Sequence, residues 1–160
     1  MAHYDENSTT LELVAHPETH AQLRQAFATL RVPTNGQALT ELTYAINHWL
    51  AEINVDDGEV TVFCQHTSAS LTLQENADPN VHFDLLTSLD RLAPETELYR
   101  HSSEGPDDMP AHIKGMLTGV SHQVPVLAGR MALGTWQGVF LAEHRHAPHI
   151  RAVILRYLGT

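Results

Sequence analysis

Three polar blocks interrupt the second half of the chain at points where strands or helices should end: Gln65-His66-Thr67-Ser68-Ala69-Ser70, residues 104–112 from Glu104 to His112, and Gly134-Thr135-Trp136-Gln137-Gly138. The first follows Val60-Thr61-Val62-Phe63, a β-branched and aromatic run that reads as a buried strand, and it substitutes a histidine and hydroxyls for apolar residues without any turn signal. An unpaired hydroxyl or amide withdrawn from water costs roughly 1–3 kcal/mol. Such a block must be hydrogen-bonded internally or open to a ligand, so the chain has to build its elements around polar junctions.

The flanking periodicities give an α+β order. Alternation over 27–32 predicts a strand ended by Pro33-Thr34-Asn35-Gly36, with Ala38-Leu39 returning as a hairpin. Leu42, Ile46, Trp49, Leu50 and Ile53 recur at helical spacing. Asp56-Asp57-Gly58 then turns the chain into a strand over 59–64, and Leu71-Thr72-Leu73 is a candidate partner. Asp78 caps and Pro79 opens a second helix with the stripe Val81, Leu85, Leu86 and Leu89, closed by Pro94. Residues 93–110 read as a long loop rich in glycine, proline and acids, followed by a short helix over 109–117. Strands over 123–127, 139–143 and 152–157 finish a mainly antiparallel or mixed β-sheet. The expectation is a single α+β domain over 22–160 with two main helices and a short third, preceded by an N-terminal extension over 1–21 with one helical turn after Pro17.

Charge narrows the partners. A formal net charge of −10 with only nine scattered basic residues argues against nucleic acid or an anionic membrane. No apolar run approaches the roughly 20 residues that span a bilayer, and the polar start lacks the features of a signal peptide. The single cysteine, Cys64, lies inside the first predicted core strand, which excludes an intrachain disulfide. A soluble protein of the reducing cytoplasm is expected. Twelve histidines, dispersed along the chain, raise the expectation of a metal. No phosphate loop, nucleophile elbow or paired-cysteine motif is present.

Taken together, residues 66–73 (His66 to Leu73) with Glu75-Asn76 and Asp78-Pro79, Tyr99 and His101, Glu104-Gly105, residues 107–114 (Asp107 to Lys114), Gly134 to Gly138 and Glu143-His144-Arg145 closely resemble the YjbQ-like family in order and spacing. The resemblance runs from about residue 22 to residue 158. It implies a small α+β fold, a homotrimer, a metal near the histidines and an activity of the secondary thiamine-phosphate synthase type.

Residue chemistry then assigns candidates. His66, His101 and His112 fall on matching family positions, and three neutral imidazoles suit zinc while leaving a coordination position for water or substrate. One of Asp107 and Asp108 caps the short helix; the other, with Asp108 the candidate, orients a metal-bound histidine or holds magnesium. Glu143 is placed as general acid or base, and Arg145 and Lys114 as cations for a departing pyrophosphate, with an ion-paired strand end as the structural rival for the Glu143-Arg145 pair. Thr67, Ser68 and Ser70 offer hydroxyls to an anion, or else satisfy a bent strand. Trp136 and Gln137, between glycines, wall a pocket or pack a trimer interface. Two classes of function follow. One is a metal-dependent transferase that joins hydroxymethylpyrimidine diphosphate to thiazole phosphate and releases pyrophosphate. The other is a non-catalytic metal- or ligand-binding trimer, or a hydrolase of a phosphorylated or acyl substrate.

Overall fold

A computed structural model describes residues 22–160, and the expected extension over 1–21 lies outside the described residues. Eleven elements follow one another: β1 (Arg24–Asn35), β2 (Ala38–Glu41), α1 (Thr43–Glu52), β3 (Gly58–Cys64), β4 (Ala69–Glu75), α2 (Pro79–Leu92), α3 (Asp108–Thr118), β5 (Ser121–Leu127), β6 (Arg130–Met131), β7 (Gln137–Glu143) and β8 (Pro148–Gly159). They form two sheets, with strand orders β1-β8-β3-β5-β6 and β2-β7-β4. All strand pairs are antiparallel. The α+β class holds, and the mixed pairing allowed by the sequence is not used.

The two sheets face each other across one core. Strand period sends Val60, Val62 and Cys64 of β3, Val124 and Val126 of β5, and Val153, Leu155 and Tyr157 of β8 inward, to meet Leu71 of β4 and Val139 and Leu141 of β7. Leu42, Ile46 and Leu50 of α1 enter the same core. Burial pushes the Cys64 thiol pKa up, as suits a packing residue. The outer face of the five-stranded sheet carries Phe27, Phe63 and Ile150, at 61%, 42% and 68% exposure. Among the described residues no helix is long and apolar enough to cross a membrane.

One expectation fails on topology. Pro33 to Gly36 does turn the chain, but β1 pairs with β8 and β2 pairs with β7, so the two flanking strands enter different sheets and form no hairpin. Local turn chemistry sets a change of direction, whereas the partner is chosen by the apolar face each strand must bury. The same sheet change recurs at the first polar block, where β3 ends in one sheet and β4 begins in the other.

The end of β8 packs tightly enough to need a glycine. Gly159 lies opposite Gly58 in register, and Tyr157 Oη sits 2.8 Å from the carbonyl oxygens of both Asp57 and Thr160. A Cβ on Gly159 would fall 2.2 Å from Asp57 O and 2.6 Å from Gly58 Cα, so backbone would have to move. Gly159→Ala is expected to destabilise the fold by about 1–3 kcal/mol. A thermal melt indistinguishable from wild type would show that the strand end gives way freely.

Candidate metal centre

The second polar block folds into a loop leading to α3, and the helix period brings its charged residues to one face. Asp108 and His112 are four residues apart in α3, which stacks their side chains one turn apart. His101 comes from the preceding loop. His101 Nε2 lies 2.7 Å from Asp108 Oδ2, and His112 Nε2 lies 3.7 Å from Asp108 Oδ1. The two imidazole centroids are 5.4 Å apart with planes tilted by 59°. One ligand-type atom from each of His101, Asp108 and His112 lies within 4.8 Å of the others.

Asp108 is held from behind. Its side chain is 3% exposed, and Arg145 Nη1 donates to its Oδ1. The same guanidinium donates through Nε to Asp107 Oδ2 at 3.1 Å and through Nη2 to Glu104 O at 2.7 Å. Asp107 also accepts from His146 N at 2.8 Å. Burial raises the Asp107 pKa, but the hydrogen bonds from His146 N and Arg145 outweigh it and hold this carboxyl below the usual carboxylate range. Asp107 is the N-cap residue of α3, yet its side chain makes no cap hydrogen bond, because it is engaged with Arg145 and His146. The capping role assigned from sequence is therefore replaced by anchoring of the arginine.

The three donors fit a metal ion. Thr67 O can only accept, so His112 Nδ1, 3.1 Å away, carries a ring hydrogen and leaves Nε2 as the nitrogen turned to Asp108 for a metal ion. Asp108 Oδ2 is buried and has His101 Nε2 2.7 Å away, a contact that a bound metal ion would replace. With both rings neutral and their Nε2 lone pairs turned to the carboxylate, a second cation beside Arg145 is favoured among the three donors. Two nitrogens and one carboxylate oxygen suit zinc or a similar transition ion. Magnesium, which prefers an all-oxygen octahedron, fits less well.

The remaining candidates divide. His66 is not in the triad: its Nε2 accepts the Ala152 N–H at 2.7 Å. Burial, followed by the nearby Arg151, lowers its pKa and keeps the ring neutral. Lys114 is buried, with its ammonium 2.6 Å from Asp90 Oδ1, and is turned to α2 rather than to the triad. Glu143 is fully buried, accepting from Thr34 Oγ1 at 2.7 Å, Arg151 Nε at 2.7 Å, Arg151 Nη2 at 2.5 Å and Arg145 N at 3.0 Å. Burial pushes its pKa up, and these donors pull it below the ordinary value, so it stays a saturated carboxylate with no lone pair left for proton transfer. This is the ion-paired strand end that the sequence offered as the rival, with Arg151 rather than Arg145 as the partner.

Of the hydroxyl residues, Thr67 is exposed, Ser68 is half-buried with its carbonyl 3.4 Å from Arg151 Nη2, and Ser70 is fully buried. Ser70 Oγ lies 2.7 Å from His144 Nε2 and accepts from Thr118 Oγ1 at 2.6 Å. It therefore satisfies the interior instead of meeting an anion. Trp136 is 65% exposed, and Gln137 Oε1 accepts Gly134 N at 2.9 Å. Gln137 pairs with Glu75 at the end of β4 and β7 opposite to Ala69–Glu143. Six residues of strand, about 20 Å, separate those two ends. The triad thus includes Asp108, which the sequence offered as the orienter of a metal-bound histidine or a magnesium ligand, and lacks His66, which it had included; the signal present in the sequence was the four-residue spacing of Asp108 and His112.

Comparison with known proteins gives a consistent match. The family model described as "UPF0047 protein YjbQ-like" matches residues 28–160. A UPF0047 protein of Synechocystis sp. is 49% identical over 140 residues, covering 87% of this chain and 95% of the relative. The UPF0047 protein YjbQ of Escherichia coli O157:H7 is 41% identical, covering 82% of this chain and 96% of that protein. Among solved structures, a conserved hypothetical protein of Thermus thermophilus superimposes with a TM-score of 0.74 at 38% identity, covering 81% of this chain and 98% of that one. A YbjQ-like protein of unknown function from Sulfolobus solfataricus shares the fold, with a TM-score of 0.81 at 21% identity over 87% of this chain and 100% of that one.

Proposed function

The chain belongs to the YjbQ-like UPF0047 family, and from that premise we propose that it is a metal-dependent enzyme acting on a phosphorylated small molecule, with His101, Asp108 and His112 as the ligands. The observation that carries this reading is the convergence of His101 Nε2 and His112 Nε2 on the two oxygens of the buried Asp108 carboxylate, with one ligand-type atom from each residue within 4.8 Å of the others. A divalent ion bound there would supply Lewis-acid polarisation of a phosphoryl or carbonyl oxygen, or an acidified water.

The protein's own residues prepare that site. Arg145 fixes one oxygen of Asp108 and leaves the other toward His101. Thr67 O sets the tautomer of His112. These outer contacts lock the orientation of ligands whose own torsions would otherwise be free. His101 and His112 remain partly exposed, at 46% and 33% of their side chains, which leaves an approach for substrate.

The finer reading is a transfer of the thiamine-phosphate synthase type, joining hydroxymethylpyrimidine diphosphate to thiazole phosphate with loss of pyrophosphate. Family resemblance supports it. Arg145 and Lys114 are both engaged with carboxylates, so we place no pyrophosphate contact on either. The exposed Phe27, Phe63 and Ile150 support association with further copies, family resemblance supports the homotrimer, and the unpaired Cys64 supports a reducing cytoplasm.

Elemental analysis of purified wild type beside His101→Ala, Asp108→Asn and His112→Ala, with oligomer mass recorded on the same samples, tests the proposal. Near-stoichiometric metal in wild type, lost in all three variants while the oligomer persists, is expected. Loss of the oligomer together with the metal would favour the non-catalytic reading, in which the ion is structural. A wild type without metal, or variants that retain it, would remove the metal-centred reading.

A further inference from the structure

His112 faces two ways. Its Nε2 looks toward Asp108, while its ring also lines an open cavity of about 730 Å³. That volume lies within the roughly 300–1,000 Å³ usual for small-molecule sites. Phe63, Met116 and Val120 give the cavity apolar walls, Gln65, His66 and Thr67 stand on its polar side, and among the described residues no lysine, arginine or carboxylate lines it. A phosphate has no counter-charge there, so the cavity is suited to the uncharged part of a ligand whose charged end lies at the triad.

His66 gives the cavity a directional polar contact. Because Nε2 accepts the Ala152 N–H, the hydrogen of the neutral ring sits on Nδ1. Nδ1 meets no acceptor among the described residues and is not enclosed among the buried unpaired atoms. It is therefore a neutral donor left for a ligand.

We infer that this cavity holds the non-phosphate body of the substrate, a planar and largely apolar ring carrying a neutral hydrogen-bond acceptor, which His66 Nδ1–H recognises while the oxyanion end lies toward His112. The inference rests on the function proposed above for the anionic end alone. His66 thereby becomes a specificity residue instead of a metal ligand.

The test is calorimetric titration of the purified protein with three probes: methylphosphonate, phenylphosphonate and the isomeric pyridylphosphonates. Phenylphosphonate is expected to bind about tenfold or more tightly than methylphosphonate, since ring burial is worth over 1.4 kcal/mol. The best pyridyl isomer should gain several-fold further. Val120→Trp, which fills the cavity, should abolish the phenyl advantage and leave methylphosphonate binding intact; Met116→Trp, at an exposed wall position, serves as a second blockade. His66→Phe should remove the pyridyl advantage alone.

Equal binding of phenyl- and methylphosphonate, or a phenyl advantage that survives both tryptophan variants, overturns the inference. Equal binding is also the result expected if a neighbouring copy of the chain fills the cavity. Cobalt uptake, measured on the same preparations, scores the triad separately. A phenyl preference without cobalt uptake would keep the cavity and sink the metal reading, and cobalt uptake with indifferent phosphonates would do the reverse.

Discussion

Replacing Arg151 by methionine is expected to destabilise the protein by about 3–5 kcal/mol and to lower its melting temperature by about 10 °C. Arg151 points inward from β8 and grips Glu143 of β7 with two hydrogen bonds, while Thr34 of β1 donates to the same carboxylate. The cluster bridges the two sheets at one end of the core. With Arg151 gone, a carboxylate at 0% exposure keeps only the Thr34 hydroxyl and the Arg145 amide as partners. An uncompensated buried charge is the costly outcome, whereas removing both charges is often close to neutral. Glu143→Gln combined with Arg151→Met should therefore recover most of the loss. Urea unfolding of the two singles and the double reads this directly, and a single variant within about 1 kcal/mol of wild type would mean that water enters to solvate Glu143.

The second large effect is on acid stability. His144 directly follows β7, against Ser70 of β4, at 1% exposure, and burial, reinforced by the neighbouring Lys114, pushes its pKa down to about 4. In the unfolded chain a histidine titrates near 6.5. Above that value neither state holds the proton. As pH falls from about 6.5 toward about 4 the unfolded chain takes it up and the native state does not, so stability is lost across that window, by about 3 kcal/mol from this group. Glu143 and Asp107, whose native pKa values lie below the ordinary carboxylate range, add a further loss at still lower pH as they are forced to protonate. His144→Gln keeps a polar group for Ser70 and removes the titration. Its melting temperature should change less than that of wild type between pH 7 and pH 4, and parallel curves would place the acid sensitivity elsewhere.

Both networks show where sequence reading reaches its limit. The amphipathic helices were legible because their information is local: Ile46 and Leu50 repeat within α1, and Asp78 Oδ1 accepts the Asn80 N–H to start α2 as its position before Pro79 required. The β-branched runs of β3, β5, β7 and β8 were legible for the same reason, whereas β6, two residues long, leaves no periodicity to read. Division into two sheets was not legible, since it depends on pairings such as Arg24 with Gly159. Charged residues gave their type without their partners. Lys114 could not declare Asp90 across two helices, and Ser70 could not declare His144, 74 positions away. At the candidate site, His101, Asp108 and His112 each stood out, but only the fold brings them together and turns His66 toward Ala152 N.

The position of β8 also bears on how the chain folds during synthesis. It is translated after every other strand described, yet it occupies the interior of the five-stranded sheet, hydrogen-bonded to β1 on one side and β3 on the other. Until the twelve residues of β8 clear the ribosome, the twelve-residue strand β1 has no strand partner among the described residues and β3 has a bare edge. Unpaired edges of this kind recruit other chains. A nascent chain stalled before residue 148 would thus expose two adhesive strands to its neighbours, and chaperone occupancy on polysomes should persist until β8 has emerged.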